Sequence, residues 1–132
     1  MTKMISEILG LGTDIIEIER IQQSLEKYGE KFLDKLLTIK EKEYCYSFQN
    51  ISERLSGTFA AKEAVVKALG CGFGEEASWH DVEILHSLNK KPEVTLSEQL
   101  NKKFHGPKFL LSISHCHLYA VATAIYWAPQ KS

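Results

Sequence analysis

The chain has 132 residues and a mass of 15.0 kDa, the size of one ordinary domain, which we assign to residues 1–132. Its 44% hydrophobic and 25% charged residues exclude a disordered, collagen-like or disulfide-scaffolded chain. Lys plus Arg number 16 against 17 Asp plus Glu, a formal charge of −1, so no global basic field points to nucleic acid and any anion site must be local. Cys45, Cys71 and Cys116 form no CxxC pair and read as reduced thiols of a cytoplasmic protein. The opening MTKMISEILGLG is not a secretory signal, because Ser6 and Glu7 interrupt its apolar part. No apolar run approaches the roughly 20 residues that a membrane span needs, so a soluble chain with no membrane partner is expected.

In chain order, Ile8 to Thr13 reads as a strand ending at Asp14, and a helical period takes over from about Glu17 through Ile18, Ile21, Leu25 and Tyr28. Gly29 stands at the C-terminal cap position. A short helix carrying Phe32, Leu33, Leu36 and Leu37 follows, and the Thr38/Glu41 capping-box spacing starts a third helix towards Phe48. The longest predicted helix spans Ile51 to Leu69 and ends at Gly70, in a loop that also holds Gly72 and Gly74. Val82 and Ile84 begin a half-buried strand, Asn89 to Pro92 is its turn, and Glu93 to Leu96 the return. Ser97 caps a short helix through Lys103. Lys108–Ser114 and Tyr119–Trp127 form a final hairpin with His115-Cys116-His117 at its tip. Long helices first and β pairs later predict an α+β fold in which an antiparallel sheet packs against a long buried helix.

That helix carries charge where its pattern asks for burial. From Gly57 to Gly70 the ionisable residues are Lys62, Glu63 and Lys67 among alanines, Thr58, Phe59, Val65, Val66 and Leu69. Lys62 falls in the middle of the stripe Leu55, Phe59, Val66, Leu69, with Glu63 and Lys67 on its flank. Two readings stand. Glu63 and Lys67 form an i, i+4 ion pair while Lys62 snorkels outward, or the three belong to a polyanion site with one carboxylate on a hard metal ion and lysines on phosphate oxygens. Asp14, out of place in an apolar stretch, is either a turn residue or the second of the two carboxylates that Mg²⁺ takes from a protein. His115-Cys116-His117 lacks the second cluster that a zinc site requires. Trp79 and Trp127 read as core or interface anchors.

Gly12-Thr13-Asp14-Ile15-Ile16-Glu17 resembles the N-terminal G-x-D motif of the holo-acyl-carrier-protein synthases, the small 4′-phosphopantetheinyl transferases. Phe59-Ala60-Ala61-Lys62-Glu63-Ala64-Val65-Val66-Lys67-Ala68-Leu69-Gly70 resembles their F-A-A-K-E-A-x-x-K-A-x-G signature. Ser112-Ile113-Ser114-His115 closes the match, which runs along essentially the whole chain. The resemblance implies transfer of 4′-phosphopantetheine from coenzyme A to a serine of apo acyl carrier protein, in support of fatty acid biosynthesis. It implies Asp14 and Glu63 as Mg²⁺ ligands and Lys67 on phosphate oxygens of the leaving bisphosphate. Lys62, His115 and the Gly70, Gly72 and Gly74 loop would lie in the coenzyme A site. The base is Glu63 or a metal-bound water. Arg20, Lys27 and Lys31 would dock the acidic carrier protein, and similar enzymes are homotrimers with active sites between subunits. One departure is Thr58, where many members carry Arg. The competing readings are another Mg²⁺-dependent nucleotide or phosphate-transfer enzyme, and a non-catalytic partner-binding domain.

Overall fold

The computed structural model describes residues 7–129. Strand β1 (Ile8–Glu17) runs into α1 (Ile18–Tyr28), followed by α2 (Glu30–Leu36), α3 (Ile39–Tyr46) and α4 (Ile51–Leu69). A hairpin of β2 (Val82–His86) and β3 (Pro92–Leu96), α5 (Glu98–Lys103), and a second hairpin of β4 (Lys108–His115) and β5 (Tyr119–Trp127) complete the chain. The α+β class and the sheet-on-helix packing are as predicted. Among the described residues, no helix is long and apolar enough to cross a membrane.

Helix boundaries follow the capping chemistry. Gly29, at φ 60°, ends α1 by donating its N–H to the Leu25 carbonyl and immediately precedes α2. Thr38 and Glu41 make the reciprocal capping box that starts α3. The Asn50 side chain accepts the Glu53 N–H at the start of α4, and Gly70 closes that helix in the left-handed region at φ 79°.

The main sheet has the order β1-β5-β4, antiparallel throughout, with β2–β3 as a separate pair. Strand β1 was expected to stop at Asp14. It continues to Glu17 because every residue from Gly10 onward finds a partner on β5, Asp14 opposite Ala122 and Glu17 opposite Tyr119. His115, expected at the hairpin tip, is instead the last residue of β4, paired with Ala120. Helix α4 lies across the inner face of this sheet. Ala60, Ala64 and Ala68 share one buried core cluster with Ala122 and Ala124, small side chains on both the helix and the sheet. A second cluster, Ile21, Leu33, Leu36, Leu37, Cys45 and Leu55, holds α1, α2 and α3 to the first turns of α4. The sheet's other face is open and apolar, with Leu11 65%, Ile15 61% and Leu110 50% exposed.

Candidate active site

The seam between β1 and α4 is built on two glycines. A Cβ on Gly12 would sit 2.0 Å from the Ala64 carbonyl oxygen, and one on Gly10 would sit 1.9 Å from that of Ala68. Only a bare backbone lets the strand lie this close to the helix. The strand then delivers Asp14 beside the helix's charged residues. Lys67 Nζ donates to Asp14 Oδ1 at 2.9 Å and to the Thr13 carbonyl at 3.1 Å. The expected ion pair between Glu63 and Lys67 is not among the salt bridges of the described residues, because Lys67 turns towards β1 instead. Glu63, one turn earlier, is half-buried. Burial first, and then the charge of Asp14, raises its carboxyl above the ordinary value, while Lys67 opposes the shift. The seam thus brings together two mutually repelling carboxylates and one ammonium, three of the residues singled out from the sequence.

Two oxygen-donor carboxylates suit a hard divalent ion such as Mg²⁺, which typically takes one or two carboxylates and completes its shell with water and substrate phosphate. Their mutual repulsion is the electrostatic signature of a place that favours a cation. Among the described residues no group of three or more His, Cys, Asp or Glu side chains gathers at metal-binding spacing.

Lys62 was expected either to snorkel or to lie in the coenzyme A site. Its side chain is 0% exposed, and its ammonium donates to Glu41 Oε1 and to the Leu36 carbonyl, both at 2.6 Å. A charge so enclosed is out of a ligand's reach. It falls on the face of α4 turned towards α2 and α3, and burial without Glu41 would cost several kcal/mol. Glu41 itself accepts the Ile84 N–H at 2.7 Å and the Thr38 N–H at 2.9 Å, so one carboxylate joins α3, α4 and β2. Glu41 was not singled out from the sequence beyond its capping role, since nothing local marks it as Lys62's partner.

Near the N-terminal end of α4, the His115 side chain is 33% exposed, with its Nδ1 4.0 Å from Glu53 Oε2. It borders a groove of about 420 Å³ shared with Tyr44, Phe48, Arg54, His86 and Lys90. Tyr44 and His86 stack at 4.0 Å between ring centroids. Thr58 also reaches this wall, but it is 3% exposed and its hydroxyl donates to the Arg54 carbonyl at 2.9 Å. Its hydroxyl is therefore engaged within the helix. Gly70, Gly72 and Gly74 follow α4 as an exposed loop in which a Cβ would meet nothing within 4 Å, so contact with chain atoms is not what requires these glycines.

The basic residues of the first helices are partly brought together. Arg20 and Lys27 line one shallow groove with Ile21, Tyr28, Phe32 and Phe59. Lys31 is exposed at the start of α2 and does not line it. All three cysteines carry free thiols. Trp79 stacks on Phe73 and tilts against Phe59, which makes it a core anchor.

Comparison with known proteins places these features in a family context. Residues 10–124 match the model of the 4′-phosphopantetheinyl transferase superfamily. The holo-[acyl-carrier-protein] synthase of Protochlamydia amoebophila is 54% identical over 118 residues, covering 89% of this chain and 97% of that protein. The crystal structure of the Neisseria meningitidis holo-[acyl-carrier-protein] synthase superposes with a TM-score of 0.84 at 31% identity, over 91% of this chain and 98% of its own. That of Bacillus anthracis, in complex with CoA (3′,5′-ADP), gives 0.79 at 34% identity, over 94% and 99%.

Proposed function

The chain belongs to the 4′-phosphopantetheinyl transferase superfamily and, within it, to the holo-[acyl-carrier-protein] synthases, and on that premise we propose that it transfers 4′-phosphopantetheine from coenzyme A to a serine of apo acyl carrier protein in a Mg²⁺-dependent reaction. The product supports fatty acid biosynthesis, the compartment is the cytoplasm, and a single domain over residues 1–132 does the work. The observation that carries this reading is the seam of Asp14, Glu63 and Lys67, a cation-seeking carboxylate pair beside an ammonium. The nucleotide bound in the Bacillus anthracis relative supports coenzyme A as donor.

In the reaction, the serine oxygen bonds to the phosphorus that carries pantetheine. The bond from that phosphorus to the bridging oxygen breaks, and adenosine 3′,5′-bisphosphate leaves with the electron pair. Asp14 and Glu63 would hold Mg²⁺, which when bound supplies Lewis-acid polarisation of the pyrophosphate oxygens. Lys67, oriented by its contact with Asp14, would neutralise the charge that the leaving oxygen gains. The serine proton passes to a base at the seam, Glu63 or a water beside it. Most of the acceleration then comes from positioning and charge neutralisation.

The groove beside His115 takes the nucleotide end of coenzyme A. The apolar outer face of the sheet, with Leu11, Ile15 and Leu110 exposed, is the surface a homotrimer would bury, with active sites in the clefts between subunits. Arg20 and Lys27 form a basic face for the acidic carrier protein, which Lys31 would extend from the start of α2.

The deciding experiment incubates the protein with coenzyme A, Mg²⁺ and apo acyl carrier protein and reads intact mass. One phosphopantetheine group should be added, at a single serine, with equimolar bisphosphate release. Turnover of nucleoside triphosphates without coenzyme A would establish the other phosphate-transfer reading, and carrier-protein binding with no mass change would establish the non-catalytic one.

A further inference from the structure

We infer that Arg54 is the residue of this chain that reads the 3′-phosphate of the donor nucleotide. The inference rests on the reading of the chain as a coenzyme A-dependent transferase. Arg54 lines the His115 groove, and its guanidinium lies over the Phe48 ring with Cζ 3.9 Å from the ring centroid. Stacked in this way the group is held in place, with its N–H donors left at the rim of the plane. Among the described residues none of the salt bridges involves it, since the neighbouring carboxylate, Glu53, faces His115. A fixed guanidinium with free donors, in a groove that also holds Lys90 and His115, is what bidentate recognition of a phosphate requires.

Position explains which phosphate it meets. Coenzyme A has two anionic groups, its pyrophosphate and its 3′-phosphate. The pyrophosphate is assigned to Asp14, Glu63 and Lys67. Arg54 stands about 13 Å from Glu63 along α4, at the other end of the helix, so within one chain the two ends cannot serve the same phosphate. The backbone adds a reason for the choice of residue. Thr58, one turn on, is buried and spends its hydroxyl on the Arg54 carbonyl. Thr58 thus brings no free polar group to the wall of the groove, and the charged donor there is Arg54.

The test pairs a residue change with a substrate change. Transfer is measured with coenzyme A and with 3′-dephospho-coenzyme A for the unaltered chain, Arg54→Gln and Arg54→Lys. Binding of adenosine 3′,5′-bisphosphate and of adenosine 5′-monophosphate is measured alongside by calorimetry. Arg54→Gln should lower kcat/KM for coenzyme A by about 10- to 100-fold, the worth of a charged hydrogen-bonded contact. It should leave 3′-dephospho-coenzyme A within about twofold, and Arg54→Lys should recover part of the loss. The bisphosphate should weaken by the same factor and the monophosphate should not. Equal losses with both donors, or no loss with either, would overturn the assignment. If no variant transfers anything, the calorimetry still decides: selective loss of bisphosphate affinity supports the role of Arg54 while the transferase reading fails, and unselective loss or none rejects it.

Discussion

The Lys62 ammonium and the Glu41 carboxylate face each other at 2.6 Å, and neither side chain is more than 1% exposed. The pair ties the middle of α4 to the start of α3 and, through the Ile84 N–H, to β2. Glu63 is the next residue along the helix, so this buried pair holds the rotation at which Glu63 faces Asp14.

Lys62→Met therefore leaves Glu41 charged, enclosed and without its cation, and should cost about 3–5 kcal/mol of stability. Urea denaturation of Lys62→Met, Glu41→Gln and the double variant checks this. The double variant should be more stable than the sum of the two single losses predicts, because the second change removes the stranded charge. Strict additivity would show that the two residues do not act as a pair.

Asp14→Asn and Glu63→Gln each keep shape and delete one of the two charges that a divalent ion meets. Each should lower transfer by about 100-fold or more with the fold retained, and circular dichroism checks that retention. Lys67→Ala should lower kcat more than it weakens coenzyme A binding, since its charge matters most as the leaving oxygen gains electrons. Equal losses in both constants would mark Lys67 as a ground-state contact.

Arg20→Glu reverses a charge on the groove that Arg20 and Lys27 share. The Michaelis constant for the carrier protein should rise by roughly tenfold at low salt, with that for coenzyme A unchanged. Exposed charges are screened beyond about 8 Å at physiological ionic strength, so the gap between the unaltered chain and the variant should narrow as salt is added. Normal carrier-protein kinetics at every salt concentration would place the docking surface elsewhere.

His86 gives the fold a pH dependence on the acid side. Burial first, and then the nearby charge of Arg54, hold its imidazole below the ordinary 6.5, and its Nδ1 is enclosed without a hydrogen-bond partner. Because the folded pKa is the lower one, the unfolded chain takes up the proton first. The contribution is complete above pH 6.5 and is lost as the pH falls from 6.5 towards the folded value. His86→Phe keeps the stack on Tyr44 and should flatten that part of the stability–pH curve. An unchanged slope in thermal melts between pH 5 and 7 would assign the dependence to another group.

Much of the chain was legible residue by residue. The helix over Ile51–Leu69, the capping box at Thr38 and Glu41, and both hairpins were readable because apolar period, caps and turn residues are local signals. The signature around Lys62, Glu63 and Lys67 named the family for the same reason: its spacing is carried by one helix. What the sequence could not decide was which way each charge turns. Glu63 and Lys67 have helical spacing for an ion pair, yet Lys67 meets Asp14, because β1 inserts beside β5 and its glycines let Asp14 come close. Lys62 has the pattern of a ligand-binding residue, yet it is sealed against Glu41, 21 residues away. A side chain's partner depends on distances between elements far apart in the chain, and desolvation makes that choice binding: a lysine enclosed by packing must take whichever carboxylate the fold has placed beside it.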